Sequence, residues 1–446
     1  MNTPIWDFLQ RYQQAGTARF HMPGHKGVGP LGCEVFDLTE VQGADALYEA
    51  EGIIAQSEQN ASALFGSRKT VYSAEGSSQC IRAMLYLALT CRPRNADPVI
   101  VAARNVHKAF VYGAALLDIQ VQWLWPEGEH HSVCGCPISP ASLEETLKAL
   151  PRPPAAVYIT SPDYLGGMAD IPALAEVCHR YGTILMVDNA HGAYLRFLQP
   201  SRHPLELGAD LCCDSAHKTL PVLTGGAYLH LGKNAPKAME DQLKTAMVLF
   251  GSTSPSYLIM ASLDLCNRYL ADGYVEKLTK TVELLQTVRK QLRDNGWQVE
   301  DTDPLRLTIS AASNLSGIQM AQILREHGME CEYADPESLV LMLTPENKPE
   351  DLRRLVEVLG RNEAPALSRP NLPLAKGTTV CSIRESFFAP HEIVTAQKSL
   401  GRICGAPTVA CPPAIPIAVS GERIGPAALE LFSHYGIETV DVLKES

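Results

Sequence analysis

Long hydrophobic runs are missing from this chain. No apolar stretch reaches the ~18 to 20 residues that a membrane-spanning helix needs. The first residues, Met1 to Gln14, show no apolar signal-peptide core and no basic presequence pattern, so the expected compartment is the cytoplasm. Positive charge is in deficit: 38 Lys and Arg stand against 49 Asp and Glu, a net charge of −11. That balance excludes the basic surface that nucleic acid requires. It leaves room for a cationic small-molecule substrate, although most of the charge serves as solvated surface. A disulfide framework is also missing. The 13 cysteines are odd in number and scattered over 446 residues, which points to reduced thiols, with Cys212 and Cys213 as core filler. His130-His-Ser-Val-Cys-Gly-Cys136 is the one stretch with metal-ligand composition. No second cysteine pair at zinc-site spacing follows it and Pro137 opens a loop, so no metal is expected. Internal repeats and low-complexity tracts are absent.

What is present is an ordinary globular composition, 46% hydrophobic and 20% charged, long enough for two or three domains without staples. Residues 1 to about 45, with the Gly- and Pro-rich stretch His21 to Pro30, read as an irregular arm. Between about 46 and 250 short apolar runs alternate with helical patterns. Strands are predicted at 98–103, 119–124, 155–160, 183–188, 210–213 and 226–231, with helices at 79–90, 141–150 and 171–181 among them. Such alternation implies an α/β domain with a large, mostly parallel sheet, whose ligands sit beyond the carboxyl ends of the strands. Helices are expected over 254–295. A smaller α/β unit follows, with strands at 304–311 and 338–343 and helices at 317–327 and 348–359. Residues 361–374 read as a connector to a last segment containing the Pro-rich Cys411-Pro-Pro-Ala-Ile-Pro416. The expected division is an arm (1–45), a large domain (46–270), a small α/β domain (271–370) and a C-terminal segment (371–446).

Four features carry chemistry. Lys218 closes Asp210-Leu-Cys-Cys-Asp-Ser-Ala-His-Lys218, directly after an apolar strand, where an amine can be desolvated to act as a nucleophile toward an aldehyde. The bland alternative is a solvated surface lysine. Asp188 ends another apolar strand, where a carboxylate can pair with a protonated pyridine nitrogen or simply cap the next turn. Gly76-Ser77-Ser78 opens a helix and offers backbone N–H groups and hydroxyls to a phosphate, or plain N-capping. His107 follows a third strand, where an imidazole can stack on an aromatic cofactor or serve a structural role.

In this chain order the four resemble the aspartate-aminotransferase fold of pyridoxal 5'-phosphate (PLP) enzymes. Phe20-His-Met-Pro-Gly-His-Lys-Gly27, Ser215-Ala-His-Lys218, Arg384-Glu-Ser-Phe-Phe-Ala389 and Pro412 to Arg423 resemble signatures of the ornithine/lysine/arginine decarboxylase family in its short form. The resemblance implies a fold-type-I PLP enzyme, with a large sheet domain plus a smaller C-terminal α/β domain. It also implies a homodimer or assembly of dimers, and a place in polyamine biosynthesis. Lys218 would hold PLP as a Schiff base. Ser215 and His217 would lie near its phosphate, which Ser77 and Ser78 would bind. Asp188 would pair with the ring nitrogen, Ala190 would pack under the ring and His107 would stack on the other face. Lys218 or His217 would return the proton after carbon dioxide departs.

The family's Asn-Gly-Thr-Ser stretch reads Glu75-Gly-Ser-Ser78 here, and the segments around Asp45 and Asp163 also depart from it. The expected reaction is decarboxylation of a basic L-amino acid, with arginine, lysine and ornithine open. Asp45, Glu49, Glu51, Asp163 and Glu385 are candidate partners for the distal positive charge, each of which otherwise faces water. The competing readings are transamination or β-elimination on the same cofactor, decarboxylation of a non-basic amino acid, and a non-catalytic regulator of the same fold.

Overall fold

The computed structural model describes residues 1–90, 98–410 and 414–445. Cys411, Pro412 and Pro413 of the Pro-rich stretch lie outside the described residues. The chain forms two compact units, one of residues 1–96 and 171–276, the other of 97–170 and 277–446.

The first unit opens with α1 (Pro4–Gln14), α2 (Ile53–Phe65), β1 (Lys69–Ser73) and α3 (Ser77–Thr90). The expected irregular arm is therefore helical at its start, a correction with a clear cause. Ile5 and Leu9 on α1 are buried, and a carboxylate oxygen of Asp264 accepts from the Ile5 and Trp6 N–H groups, both at 3.0 Å. That carboxylate supplies the helix N-terminus with the acceptor its own residues do not provide. The second unit takes over with β2 (Val99–Ala103), α4 (Lys108–Leu117), β3 (Gln120–Leu124), α5 (Pro140–Ala149) and β4 (Ala156–Thr160). The chain then returns to the first unit through α6 (Ile171–Arg180), β5 (Ile184–Asp188), β6 (Leu211–Asp214), the one-turn α7 (Ala216–Thr219), β7 (Ala227–Leu231), α8 (Ala238–Val248) and α9 (Tyr257–Ala271).

The remaining elements begin with α10 (Tyr274–Asp294), β8 (Arg306–Ser310), α11 (Gly317–Glu326), β9 (Tyr333–Ala334), β10 (Ser338–Met342) and α12 (Pro349–Leu359). They end with β11 (Thr378–Thr379), α13 (Ile383–Phe387), β12 (His391–Thr395), β13 (Thr408–Ala410), β14 (Ile415–Ala418), β15 (Glu422–Arg423), α14 (Pro426–His434) and β16 (Thr439–Leu443).

In the first unit the strand order is β1-β7-β6-β5, with β5 and β6 parallel and β7 antiparallel to both β6 and β1. In the second, β2 pairs in parallel with β3 and with β4. Strands β5, β6 and β7 are almost wholly buried, which explains their continuous apolar runs. The second unit also carries an antiparallel sheet of order β8-β10-β9. α11 and α12 close over its core of Leu307, Ile309, Leu339, Leu324 and Leu355. A separate apolar cluster, including Ile417, Phe432 and Val442, gathers the C-terminal elements.

Candidate active site

The first unit's topology determines where its chemistry collects. β5, β6 and β1 all run in one direction, and β7 runs against them. The residues after β5, β6 and β1 and those before β7 therefore meet at one end of the sheet. Three backbone hydrogen bonds join them there, and a fourth closes the turn after β6 on itself. Asn189 N–H donates to Cys213 O (3.0 Å), Lys218 N–H to Ser215 O (3.0 Å), His217 N–H to Gly226 O (3.2 Å), and Gly76 N–H to Gly225 O (2.7 Å). Gly76 and Gly225 sit at φ of +72° and +98°, which glycine adopts without strain. A Cβ on Gly225 would stand 3.0 Å from Ala74 O, so this close approach of two loops requires its absence.

Lys218 is half-buried on α7, and its Nζ lies 2.9 Å from Nε2 of the buried His191. Asp188 is buried at the end of β5. Its Oδ1 accepts from Ala190 N–H (3.2 Å) and from the Cys213 thiol (3.6 Å). Burial pushes the Cys213 thiol far above its ordinary pKa, so it stays protonated as a donor. His217 stands beside Lys218 with Nδ1 3.1 Å from Gly226 O and 3.4 Å from Ser215 Oγ. Burial lowers the His217 pKa, with the hydrogen bond to Gly226 O opposing it and repulsion from Lys218 adding to it.

The helix after β1 starts at Ser77, two residues before the apolar pattern indicates. Ser77 and Ser78 therefore lie in its first turn, where N–H groups have no partner within the helix. A Cβ on Gly76 would meet nothing within 4 Å, so the approach to this turn is open. Ser73 Oγ bonds Gln79 Oε1 (2.6 Å), and Gln79 Nε2 donates to Tyr48 OH (2.9 Å) and Met247 O (2.8 Å), which fixes the turn from behind. Glu75, the departure from the family pattern, has its carboxylate on Ser252 N–H.

An amine at the end of β6, a buried carboxylate at the end of β5, and hydroxyls at an open helix N-terminus make up the donor set that PLP requires. These residues fit it. Ala190 is placed immediately after Asp188 and Asn189 in the same turn. His107 belongs to the second unit, where it is the N-cap of α4, its Nδ1 accepting from Ala109 N–H at 3.1 Å.

Three of the five candidate substrate acids have local work instead. Asp45 accepts from the N–H groups of Glu51, Gly52 and Ile54 (3.1, 2.8 and 3.0 Å) at the start of α2. Asp163 accepts from Leu165 and Gly167 N–H (2.9 and 2.8 Å), and burial pushes its carboxyl up to about 6. Glu385 completes the capping box of α13 with Ser382. Glu49 and Glu51 are exposed and line a groove of the first unit with Glu58 and Lys244.

Two features escaped the sequence reading. His191 is one; its signal was its place three residues after Asp188, in a turn closed by Gly192 N–H to Asn189 O (2.8 Å). The other is a buried cluster under the site. Asp214 Oδ2 accepts from Nε2 of His203 (3.0 Å) and of His230 (3.1 Å), while its Oδ1 accepts from Asn189 Nδ2 (2.7 Å). Burial alone would raise the Asp214 pKa. Attraction to His203 and His230, with their hydrogen bonds, outweighs burial and holds it well below the usual carboxylate range. These three are the one group of potential metal ligands found among the described residues. His230 Nδ1 pairs with Thr70 Oγ1 (2.8 Å), and His203 Nδ1 accepts from Leu205 N–H (3.4 Å). With both rings engaged on both sides, the cluster is a hydrogen-bonded anchor.

The major-domain model of the Orn/Lys/Arg decarboxylases matches residues 3–311. An uncharacterized protein of Bacillus subtilis, YaaO, is 29% identical over 97% of this chain and 94% of its own length. Arginine decarboxylase of Bacillus subtilis is 28% identical over 95% of this chain and 91% of its own. Among solved structures, the Francisella novicida lysine decarboxylase LdcF superposes with a TM-score of 0.83 at 17% identity, over 99% of this chain and 81% of that one. Serine palmitoyltransferase of Sphingomonas wittichii superposes with a TM-score of 0.56 at 15% identity, over 80% of this chain and 82% of that one. The fold is accordingly the fold-type-I, aspartate-aminotransferase-like α/β fold of PLP enzymes. Match and fold together make the cofactor PLP and the activity decarboxylation of a basic amino acid: the chain belongs to the Orn/Lys/Arg decarboxylase family.

Proposed function

We propose that this chain decarboxylates L-arginine, with PLP held on Lys218. The observation that carries the site assignment is the placement of Lys218 Nζ, Asp188 and the Ser77-Ser78 turn at one end of the first unit's sheet. The relatives named arginine decarboxylase, 25 to 28% identical over 95 to 97% of this chain, favour arginine over lysine and ornithine.

When bound, PLP supplies the electron sink for the carbon that loses carbon dioxide. The chain's own residues do the rest. Ser77, Ser78, Ser215 and His217 would hold the phosphate. Asp188 would pair with the ring nitrogen and keep it protonated, and Ala190 would pack under the ring. His107, whose Nδ1 caps α4, would stack on the cofactor ring, as the resemblance implies. The functional division follows these roles: residues 46–270 form the PLP-binding part, with the arm (1–45), the small domain (271–370) and the C-terminal segment (371–446) around it. The working unit is a homodimer or an assembly of dimers. With Asp45, Asp163 and Glu385 committed to backbone, the distal guanidinium draws its partner from Glu49, Glu51 or a neighbouring copy.

The test is incubation of the PLP-loaded protein with arginine, lysine, ornithine and a panel of neutral and aromatic amino acids, with the amine identified by mass spectrometry. Arginine should give agmatine at the highest kcat/KM. A higher kcat/KM for lysine or ornithine overturns arginine, and a preferred neutral or aromatic side chain overturns the basic substrate. Borohydride reduction should leave the cofactor on the Lys218 peptide, and a label on another lysine overturns the site.

A further inference from the structure

We infer that His191 is the proton partner of Lys218, its Nε2 taking the proton from the Nζ ammonium and giving it back. The inference rests on Lys218 being the PLP lysine. An ordinary lysine, with a pKa of about 10.4, is almost wholly ammonium at neutral pH and has no lone pair for an aldehyde. A proton acceptor within hydrogen-bond reach removes that obstacle. His191 Nε2 stands 2.9 Å from Lys218 Nζ, and the imidazole is buried. The transfer is balanced within the pair. One proton moves from Nζ to Nε2, leaving a neutral amine and an imidazolium, with no change in electron count.

The other titratable groups nearby are otherwise committed. His217, the neighbour in sequence, turns its Nδ1 to Gly226 O (3.1 Å) and repels a charge on Lys218. Asp188 holds Ala190 N–H and the Cys213 thiol. Two further segments pack against α7: β7 and the short turn at residues 193–197. On β7, His230 is engaged by Asp214 and Thr70, and burial pushes the Tyr228 hydroxyl far above its ordinary pKa. In the turn, Tyr194 is buried, and Arg196 donates to Leu64 O (3.0 Å) and pairs with Glu206 (3.2 Å). The turn that delivers His191 is tied to the strand below it by Asn189 Nδ2 on Asp214 Oδ1 (2.7 Å). Both halves of the pair are thus carried by the ends of β5 and β6, whose relative position Asp214 maintains.

The experiment follows the rate at which apoprotein captures PLP, read by absorbance between pH 6 and 9, for the unaltered chain and for His191→Asn and His191→Gln. Either replacement can accept a hydrogen bond and neither can take a proton. The unaltered chain should capture PLP at a rate nearly independent of pH from 9 down to about 7. The variants should fall at least tenfold behind at pH 7, and the gap should close toward pH 9. A capture rate in the unaltered chain that drops tenfold per pH unit across this range overturns the inference without any variant. So does a variant whose rate and profile match the unaltered chain. A loss that is the same at every pH marks a packing role and also overturns it. Borohydride reduction of the same samples separates the two assignments: label on a lysine other than Lys218 defeats the site, whereas label on Lys218 with an unchanged variant profile defeats only the role of His191.

Discussion

At the scale of single residues, the role proposed for the Asp188 carboxylate depends on its charge more than on its shape. Its Oδ1 accepts from Ala190 N–H and from a thiol that burial keeps protonated. An asparagine can keep an oxygen in that place and lose only the negative charge, so Asp188→Asn isolates the electrostatic role. Turnover is expected to fall at least ~100-fold, about 2.7 kcal/mol of barrier. The melting temperature should stay within a few degrees. A kcat near that of the unaltered chain would remove Asp188 from its assigned role. Asp188, Ser215 and Lys218 could be read from the sequence because each follows a continuous apolar run, and a buried strand places the residues after it at the sheet's end. His191 could not. Its position depends on how residues 189–192 turn, and one sequence shows a turn but not which side chain it returns to the strand end. The His203-Asp214-His230 cluster was equally hidden, since its members meet across strand pairings and a loop, with no periodic spacing to reveal them.

At the scale of elements, strands were legible where burial is two-sided, as in β2 and β4 to β7, and in β3 despite its exposed residues. β2 to β7 begin and end within a residue or so of the apolar runs that predict them. β1 was not legible because its buried face is partly polar. Thr70 is spent on His230 Nδ1 (2.8 Å) and Ser73 on Gln79 (2.6 Å), so hydrogen bonds replace the apolar pattern. α4 begins at a residue with one observed job and one proposed. Its N-cap is His107, and a cap is worth about 1 kcal/mol. Asparagine caps well but has no aromatic ring. His107→Asn is therefore expected to keep the melting temperature while PLP binding and kcat/KM fall by roughly tenfold or more, about 1.4 kcal/mol. If His107→Asn binds PLP as the unaltered chain does, the ring does not stack. The ends of β6 and β7 give a pH prediction. The folded pKa of Asp214 lies below its unfolded value of about 3.9. Its contribution to stability is thus complete above about pH 4 and is lost as the pH falls toward the folded pKa. Burial depresses His230 below its unfolded value of about 6.5, so that contribution begins to fade below about pH 6.5. Asp214→Asn should cost on the order of 3 kcal/mol near pH 7, the worth of hydrogen bonds to a buried charge. The cost should shrink as the pH drops below about 4. Equal thermal stability of the two proteins at pH 7 would show that the cluster does not anchor the fold.

At the scale of the whole molecule the arm sets the question. Its root is fixed: Ile5 and Leu9 are buried and Asp264 caps α1. Beyond the root, Arg19 holds the Val35 carbonyl at 2.5 Å and His25 pairs with Asp37 at 3.1 Å, so the segment has its own internal order. Its apolar side chains nevertheless face water. Phe20 is 96% exposed, Val28 80% and Leu31 81%. Isolated apolar residues on a surface are normal, but several large ones on one ordered segment mark an interface, since each Å² removed from water contributes about 25 cal/mol. A second copy of the chain is the occupant that the proposed dimer supplies, and it would bring the motif from Phe20 to Gly27 against its neighbour. Light scattering at assay concentration should therefore give at least twice the mass of one chain. Phe20→Asp with Leu31→Asp should shift that mass toward the monomer and lower activity at least tenfold, with the loss eased at higher protein concentration, as mass action requires of an association defect. A change in folding alone would not respond to concentration. Full activity in a species of monomer mass would overturn the dimer and leave the exposed arm to a different partner.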